Sequence, residues 1–168
     1  MVVCAQLANI VDINKLGHEY HGLCYQQPAF PALCLKDDVS ALCQIFKNGK
    51  VVVIGGKSED GAKCIFDEYL SRVAELGYDT SYHNYKIQNI VARYDVHKQV
   101  KLTKLAKKKD VTYEPEIFPS AVKFRMKDIK VTANIFYSGK IMILGAKSMS
   151  DLETAVERVT CLIDNGEN

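Results

Sequence analysis

Alternating apolar and polar residues mark two stretches of the chain, and the second stretch repeats the first. Residues 45–58 read Ile-Phe-Lys-Asn-Gly-Lys-Val-Val-Val-Ile-Gly-Gly-Lys-Ser, and residues 135–148 read Ile-Phe-Tyr-Ser-Gly-Lys-Ile-Met-Ile-Leu-Gly-Ala-Lys-Ser, at an offset of 90. Asn9-Ile10-Val11 also recurs as Asn89-Ile90-Val91 at an offset of 80. A domain-sized period predicts two copies of one unit rather than a solenoid. We place the first copy at residues 1–80 and the second at 81–168.

Each repeated phrase predicts a β-hairpin. Asn48-Gly49 and Ser138-Gly139 separate apolar runs, and glycine tolerates the positive φ of a two-residue turn. Strand alternation divides each hairpin into two faces. In the first hairpin, Val39, Ala41, Cys43, Ile45, Val51 and Val53 oppose Leu42, Gln44, Phe46, Val52 and Ile54. In the second, Val131, Ala133, Ile135, Ile141 and Ile143 oppose Thr132, Asn134, Phe136, Met142 and Leu144.

Both faces of these hairpins are largely apolar, which is unusual because an antiparallel sheet commonly buries one face and exposes the other. Only one long amphipathic helix follows each hairpin. Two alternatives remain open from the pattern alone. Either a second layer of helices covers the other face, or that face is a large apolar binding surface.

The other elements are predicted from local signals. Residues 2–11 are predicted to form a strand, and residues 12–30 to be irregular with at most a short helix, because Gly17, Gly22 and Pro28 interrupt them. Ser58 predicts the N-cap of a helix that ends at Gly77. A strand is predicted at 85–91, and Ser150 is predicted to cap the last helix. The lysines of residues 98–109 are interpreted as a solvated face, with a phosphate or acidic-partner contact as the alternative.

Composition and spacing exclude several classes of function. The net charge of +2 is too small to indicate nucleic-acid binding by itself. Six cysteines without paired spacing predict a reduced, intracellular protein with thiols mainly in the core. His18, His21 and Cys24 lack the further ligand that a zinc site needs, so we expect no metal or other cofactor. The sequence contains no apolar run of ~18 residues, so we predict no membrane span. It also contains no nucleophile–base–acid set, so we predict that the protein is not an enzyme.

Four motifs of the second copy resemble the core domain of the TATA-box-binding protein family. They are residues 88–91 (Gln-Asn-Ile-Val), 113–119 (Tyr-Glu-Pro-Glu-Ile-Phe-Pro), 135–140 (Ile-Phe-Tyr-Ser-Gly-Lys) and 145–148 (Gly-Ala-Lys-Ser). Fainter copies occur in the first half, and the resemblance covers essentially the whole chain. It implies an α+β fold built as a two-repeat pseudo-symmetric saddle, with a curved antiparallel sheet and helices on its convex face. The second apolar face would then bind the minor groove of DNA.

The resemblance also implies roles for individual residues. The phenylalanines that insert between base steps fall on Phe30, Phe46, Phe118 and Phe136. Asparagines that donate to base acceptors fall on Asn9 and Asn89, and the apolar groove contacts fall on Val11, Val91, Val52 and Met142. Phosphate contacts fall on Lys50, Lys57, Lys140 and Lys147. Glu114, Glu116 and Ile117 fall on the loop, or stirrup, on which transcription factor IIB docks in the family.

Two pairs of positions depart from the family pattern. Ile54 and Leu144 replace threonines, and Gln44 and Asn134 replace leucines near the inner phenylalanines. These departures favour a relaxed TATA preference, because two hydroxyl donors are absent. The two amides either contact base edges or a guanine amino group, or only reduce apolar contact.

The resemblance implies a nuclear general transcription factor that binds and bends double-stranded DNA at A·T-rich promoters and nucleates the polymerase initiation complex. Its implied protein partners are a transcription factor IIB-like protein, with transcription factor IIA and polymerase-associated factors as further partners. The alternative is a family-like scaffold or competitor that binds transcription factors but binds DNA only weakly.

Overall fold

The computed structural model describes residues 1–21, 23–25, 30–36 and 41–167, and only the backbone of residues 23–25, 166 and 167. The chain forms two compact units, Met1–Gln88 and Asn89–Asn168. Their boundary lies inside one strand, later than the predicted repeat boundary after residue 80. Parts of the first stirrup and of the first hairpin arm, residues 26–29 and Val39, lie outside the described residues.

Unit 1 combines antiparallel strands with two helices. Its elements are β1 (Val2–Leu7), α1 (Ile13–Glu19), β2 (Leu23–Tyr25), β3 (Ala32–Lys36), β4 (Leu42–Phe46), β5 (Lys50–Ile54), α2 (Glu59–Glu75) and the first part of β6 (Tyr82–Asp95). The strands lie in the order β2-β3-β4-β5-β1. The predicted Asn48-Gly49 hairpin is confirmed, since Gly49 has φ +80° and β4 pairs with β5.

One face of unit 1 carries its core. Alternate residues of the strands, including Val3, Ile45, Val51 and Val53, are buried with Phe66 and with the other inward side chains of α1 and α2. This is the hairpin face that alternation assigns to Cys43, Ile45, Val51 and Val53. Burial of these apolar side chains, at about 25 cal/mol per Å², holds the helices on this face.

Unit 2 repeats the arrangement of unit 1. It contains the second part of β6, α3 (Leu102–Leu105), β7 (Val111–Thr112), β8 (Ala121–Met126), β9 (Val131–Phe136), β10 (Lys140–Ala146) and α4 (Met149–Glu167). Its strands lie in the order β6-β10-β9-β8-β7, and α4 packs on β9 and β10. Ile135, Ile141 and Ile143 are buried, as are Val159 and Ile163 of α4. The predicted division of the second hairpin into two faces is therefore confirmed.

Capping interactions determine where the two long helices begin. Ser58 caps α2 as predicted, and its hydroxyl accepts from Gly61 N–H at 3.0 Å. The prediction of Ser150 as the cap of α4 is wrong. Ser148 holds that position, since its Oγ accepts from Asp151 N–H at 3.1 Å while Asp151 accepts from Lys147 N–H at 3.2 Å. The cap therefore lies two residues earlier than predicted, and Asp151 has the place of the Glu or Gln of the usual capping box.

The predicted strand over residues 2–11 is too long, because β1 ends at Leu7. Asp12 caps α1 instead, and its carboxylate accepts from the N–H groups of Asn14 and Lys15. Ile13 and Leu16 of α1 are buried. An Asp followed by apolar residues at helical spacing was the signal for this helix.

Gly139 and Gly77 provide a matched test of backbone packing, since both have φ +87°. A Cβ at Gly139 would lie 2.2 Å from the Lys98 carbonyl oxygen, whereas a Cβ at Gly77 meets nothing within 4 Å. Gly77→Ala should cost about 1–2 kcal/mol for the left-handed backbone. Gly139→Ala should cost about 1–3 kcal/mol more because the Lys98 backbone must move. Urea unfolding measures both losses, and equal losses would contradict this account.

A second prediction concerns acid stability. Arg158 of α4 donates to both carboxylate oxygens of Asp128, with both N–O distances 2.7 Å. These hydrogen bonds lower the pKa of Asp128 from 3.8 to about 2. The pair therefore stabilises the fold above the unfolded pKa, and this contribution is lost as pH falls toward the folded value.

Arg158→Gln should thus be less stable than wild type at neutral pH, and the difference should disappear as pH approaches about 2. Urea unfolding across this range measures it. Asp128→Asn, alone and combined with Arg158→Gln, is the control, since the second change should then add little. A difference that persists at the lowest pH would show that Arg158 acts through another contact.

Candidate nucleic-acid interface

Each unit has a second sheet face on which no helix packs among the residues the structure describes. In unit 1 this face includes Leu42, Gln44, Phe46, Val52 and Ile54, and in unit 2 it includes Thr132, Asn134, Phe136, Met142 and Leu144. These side chains are half-buried or exposed, while their neighbours along each strand are buried. The open question from the sequence is thereby answered for the described residues: helices cover one face of each unit only.

Two phenylalanines meet on this face in each unit. Phe30 and Phe46 lie edge to face with ring centroids 5.6 Å apart, and Phe118 and Phe136 lie edge to face at 5.9 Å. All four rings retain exposed surface, and 37% of Phe118 is exposed. Edge-to-face packing holds each ring in a defined direction. The sheet thus presents one aromatic pair per unit that is not part of the core.

Asn89 is oriented by a bulge in the neighbouring strand. The β6–β10 register shifts between Leu144 and Ala146, and Gly145 N–H in this bulge donates to Asn89 Oδ1 at 3.0 Å. Because the oxygen accepts this bond, the amide Nδ2 is left as a donor. Val91, two residues later, is 47% exposed beside it.

Four exposed lysines lie at the start of β5 and β10 or shortly after these strands. Lys50, Lys57, Lys140 and Lys147 are exposed, and none forms an ion pair with a described carboxylate. Lys140 borders a depression of about 400 Å³ that Arg93, Phe136 and Met142 also line. Lys50 and Lys140 share the strand face of Val52 and Met142, and exposed ammonium groups on such a surface can bind a polyanion.

Comparisons with known proteins agree with this geometry. The family model for transcription factor TFIID, or TATA-binding protein, matches residues 1–76 and 84–165. The TATA-box-binding protein of Schizosaccharomyces pombe is 37% identical over 152 residues, covering 89% of this chain and 65% of that protein. The TATA-box-binding protein of Archaeoglobus fulgidus is 33% identical over 165 residues, covering 95% of this chain and 90% of that protein.

The chain belongs to the TATA-binding protein family. A solved structure of Methanococcus jannaschii TBP superposes with a TM-score of 0.86 at 29% identity, covering 98% of this chain and 95% of that one. This likeness confirms the predicted α+β fold of the family, and membership confirms the prediction of a non-enzymatic protein. The chain spans 65% of the length of the fission-yeast relative and of a wheat relative.

Sheet register contradicts two of the residues that family resemblance suggested. Val91 pairs with Leu144, and the matching partner of Ile54 in unit 1 is Val2. Val2, rather than Val11, is therefore the counterpart of Val91. Val11 is only 5% exposed and lies in the core of unit 1. The three-residue match at an offset of 80 is therefore not a structural correspondence, and Asn9 is not the counterpart of Asn89.

Asn9 consequently has a different setting from Asn89. It follows β1 in a bend, and its Nδ2 donates to Asp79 Oδ2 at 2.6 Å. The same Asp79 accepts from the N–H and hydroxyl of Ser81, and these bonds lower its pKa. Asn9 therefore joins the end of β1 to the segment before β6, and one of its two amide N–H donors is engaged by Asp79.

The stirrup of unit 2 is exposed and locally ordered. Ile117 and Phe118 both donate backbone N–H groups to the Glu114 carbonyl, and Tyr113 donates its hydroxyl to Pro119 O at 3.1 Å. Glu114 and Glu116 are exposed, and 78% of Ile117 is exposed. The loop thus exposes one large apolar side chain directly after two exposed carboxylates.

Three cations on the uncovered face of unit 2 were missed from the sequence. They are Arg93 of β6 and Lys123 and Arg125 of β8, which share a face with Met142, Asn134 and Thr132 through their strand pairings. Their alternation with buried residues in β8 was the available signal. No cluster of three metal-ligating side chains occurs in the described ranges, and no described helix is long and apolar enough to span a membrane.

Asn89 provides a test of the bulge. Asn89→Ala should lower the unfolding free energy by about 1 kcal/mol, because Gly145 N–H loses its acceptor. Asn89→Asp keeps an acceptor and should be the more stable of the two variants. Urea unfolding measures the ranking, and an aspartate variant less stable than the alanine variant would contradict the assigned bond.

Proposed function

We propose that this chain binds double-stranded DNA through the uncovered faces of its units, opens the minor groove of A·T-rich promoters and bends the duplex there. The observation that carries the proposal is the aromatic pair on each face. A planar ring with exposed surface can insert between base pairs, and insertion at two places kinks the duplex. Unstacking costs roughly a few kcal/mol per step, which contacts to the bent duplex offset.

Base contacts in this proposal come from Asn89 and the apolar side chains around it. The minor groove of A·T pairs offers mainly the acceptors A N3 and T O2, which suit the free Asn89 Nδ2 donor. Val91, Val52 and Met142 supply apolar contact to the groove floor. Lys50, Lys57, Lys140 and Lys147 contact phosphates, so affinity should fall with salt.

The proposal includes a relaxed TATA preference. Ile54 is 41% exposed and Leu144 half-buried on the uncovered faces, where a threonine would supply a hydroxyl donor worth about 1 kcal/mol. Gln44 and Asn134 occupy matching positions and carry both donors and acceptors. An amide oxygen can accept from the guanine amino group, so G·C pairs are tolerated at these two places. Site selection from random duplexes tests this preference.

The same proposal makes the chain a general transcription factor that nucleates a polymerase initiation complex. The stirrup of Glu114, Glu116 and Ile117 is proposed to bind a transcription factor IIB-like protein, with transcription factor IIA and polymerase-associated factors as further partners. As a promoter-binding factor, the protein would act in the nucleus of a eukaryotic cell.

A second candidate is a scaffold that binds transcription factors and binds DNA only weakly. The apolar residues at positions 54 and 144 favour it, because both remove donors from the interface while the stirrup of unit 2 stays intact. The two candidates differ in DNA affinity at low salt.

Replacing the aromatic pair of unit 2 tests the proposal. Wild type should bind and bend both a TATA duplex and an unrelated A·T-rich duplex, as measured by salt-dependent titration and by energy transfer between dyes at the duplex ends. Phe118→Ala with Phe136→Ala should abolish bending, because the wedge is gone, and leave binding of a transcription factor IIB-like protein nearly intact.

Ile129→Ala, outside both aromatic pairs, is the control for loss of an apolar side chain. Asn89→Asp should weaken DNA binding while the aromatic pairs remain, because its donor is replaced by a negative charge. Failure of wild type to bind either duplex at low salt would favour the scaffold. Bending by the double phenylalanine variant would contradict the role of the wedge.

A further inference from the structure

Three aromatic rings of unit 1 surround an ammonium group on the helix-covered face. Phe66 of α2 packs edge to face against Tyr82 and Tyr85 of β6, with both centroid distances 5.1 Å and interplanar angles of 77° and 71°. The two tyrosine rings are 6.4 Å apart and tilted by 53°. Lys63 Nζ lies 5.9 Å from the Phe66 centroid and 5.3 Å from each tyrosine centroid. We call these three rings the aromatic cage.

An irregularity of β6 brings both tyrosines to the cage. Regular alternation would place Tyr82 and Tyr85 on opposite faces of a strand, because they are three residues apart. Asn84, between them, has φ +57° and interrupts this alternation. Both rings therefore pack against the core of unit 1. Lys63 reaches them from α2, where it lies three residues before Phe66 and so on the same side of the helix.

The cage is wider than a primary ammonium group requires. A nitrogen–carbon bond is about 1.5 Å long, and carbon atoms in contact are about 3.5–4.0 Å apart. A methyl group on a nitrogen would therefore contact a ring that lies roughly 5–5.5 Å from the nitrogen. The two distances of 5.3 Å from Lys63 Nζ have this length. The spacing thus suits a methylated nitrogen, whose positive charge the ring faces attract.

Lys63 holds the cage through contacts that are open to solvent. Its side chain is 40% exposed, and its Nζ donates to the Asp67 carboxylate and to the Tyr82 hydroxyl. An exposed ion pair between residues four apart on a helix contributes little to stability, and the lysine stem is flexible. A cation that fits the rings better can therefore take the place of Lys63, and Asp67 then pairs with the new charge.

An acidic groove adjoins the cage along α2, since Lys63 and Asp67 border both. The groove has a volume of about 710 Å³, and it is lined by Asp60, Lys63, Cys64, Asp67, Glu68 and Ser71. The side chains of Asp67 and Glu68 are each 50% exposed. Carboxylates in such a groove attract a basic peptide, whereas they repel the phosphate of a choline headgroup. The charge of the groove therefore favours a peptide as the source of the methylated nitrogen.

We propose that the aromatic cage and this groove bind a trimethylated lysine side chain of a basic protein segment, with Lys63 occupying the cage in the free protein. The ring faces attract the quaternary ammonium. Asp67 pairs with its charge, and the other carboxylates of the groove bind neighbouring cations of the segment. The cage lies on the helix-covered face of unit 1, so the inference does not depend on DNA binding by the uncovered face.

The test is a titration with three basic peptides of one sequence, followed by the fluorescence anisotropy of a dye on the peptide. One peptide carries trimethyllysine, one carries lysine, and one carries a neutral analogue with a tert-butyl group in place of the trimethylammonium. Wild type should bind the trimethyllysine peptide roughly fivefold more tightly than either of the others, because the rings attract a cation at an exposed site. Lys63→Ser should bind it about tenfold more tightly still, since the intramolecular competitor is gone.

Variants of one ring separate the cage from general packing. Tyr85→Leu should remove the preference for the trimethyllysine peptide, because leucine keeps apolar bulk but has no ring face. Tyr85→Phe keeps the ring and should keep the preference. Tyr94→Leu changes an exposed tyrosine of the same strand in unit 2 and is the matched control, which should bind all three peptides as wild type does. Urea unfolding verifies that each variant is folded.

Several outcomes would overturn the inference. Equal binding of the three peptides by wild type and by Lys63→Ser would show that the Lys63 contacts only join α2 to β6. Equal binding of the trimethyllysine and tert-butyl peptides would show an apolar site without selection for charge. A preference found only in Lys63→Ser would show that the wild-type cage is closed to ligands. Tighter binding to phosphatidylcholine vesicles than to the peptide would assign the cage to a lipid headgroup. DNA binding, titrated separately, is expected to be unchanged in Lys63→Ser.

Discussion

The structure depends on one constraint: the helices of each unit cover only one of the two faces of its strands. Each strand places alternate side chains on opposite faces, and both sets are largely apolar in these sequences. The helices of each unit cover one set, and burial of residues such as Ile45 and Ile143 stabilises that layer. The other set keeps Phe46 and Phe136 at a surface, where their apolar area remains available for a ligand. A fold that is complete in its core is therefore incomplete on one face, and DNA of suitable shape is the ligand we propose for it.

Local features then determine what this face presents. The edge-to-face contact in each aromatic pair restricts the ring direction, so less conformational entropy is lost when a ring enters a base step. The bulge at Gly145 orients the Asn89 amide, leaving its donor outward. Backbone geometry within unit 2 thus orients a polar group on a largely apolar surface.

Duplication explains the similarity of the units, and later substitutions explain their differences. One cross-strand row of the uncovered face ends in Arg93 and Lys123 in unit 2. The matching row of unit 1 ends in the buried thiols of Cys4 and Cys34. The two units therefore present different charges on similar arrangements of strands.

Sequence alone determined the duplication, both hairpins with their two faces, the start of α2 at Ser58, and the family, because these follow from short-range periodicity, turn chemistry and long matching motifs. Tertiary structure decided the rest. A three-residue match made Asn9 and Val11 the apparent counterparts of Asn89 and Val91. Strand pairing instead makes Val2 the counterpart of Val91, and Val11 is buried in the core. Arg93 and Lys123 are far apart in the chain, and pairing across four strands brings them to one row. Register is a long-range property, since a shift of one residue exchanges the faces of a strand, and single-strand patterns do not contain it.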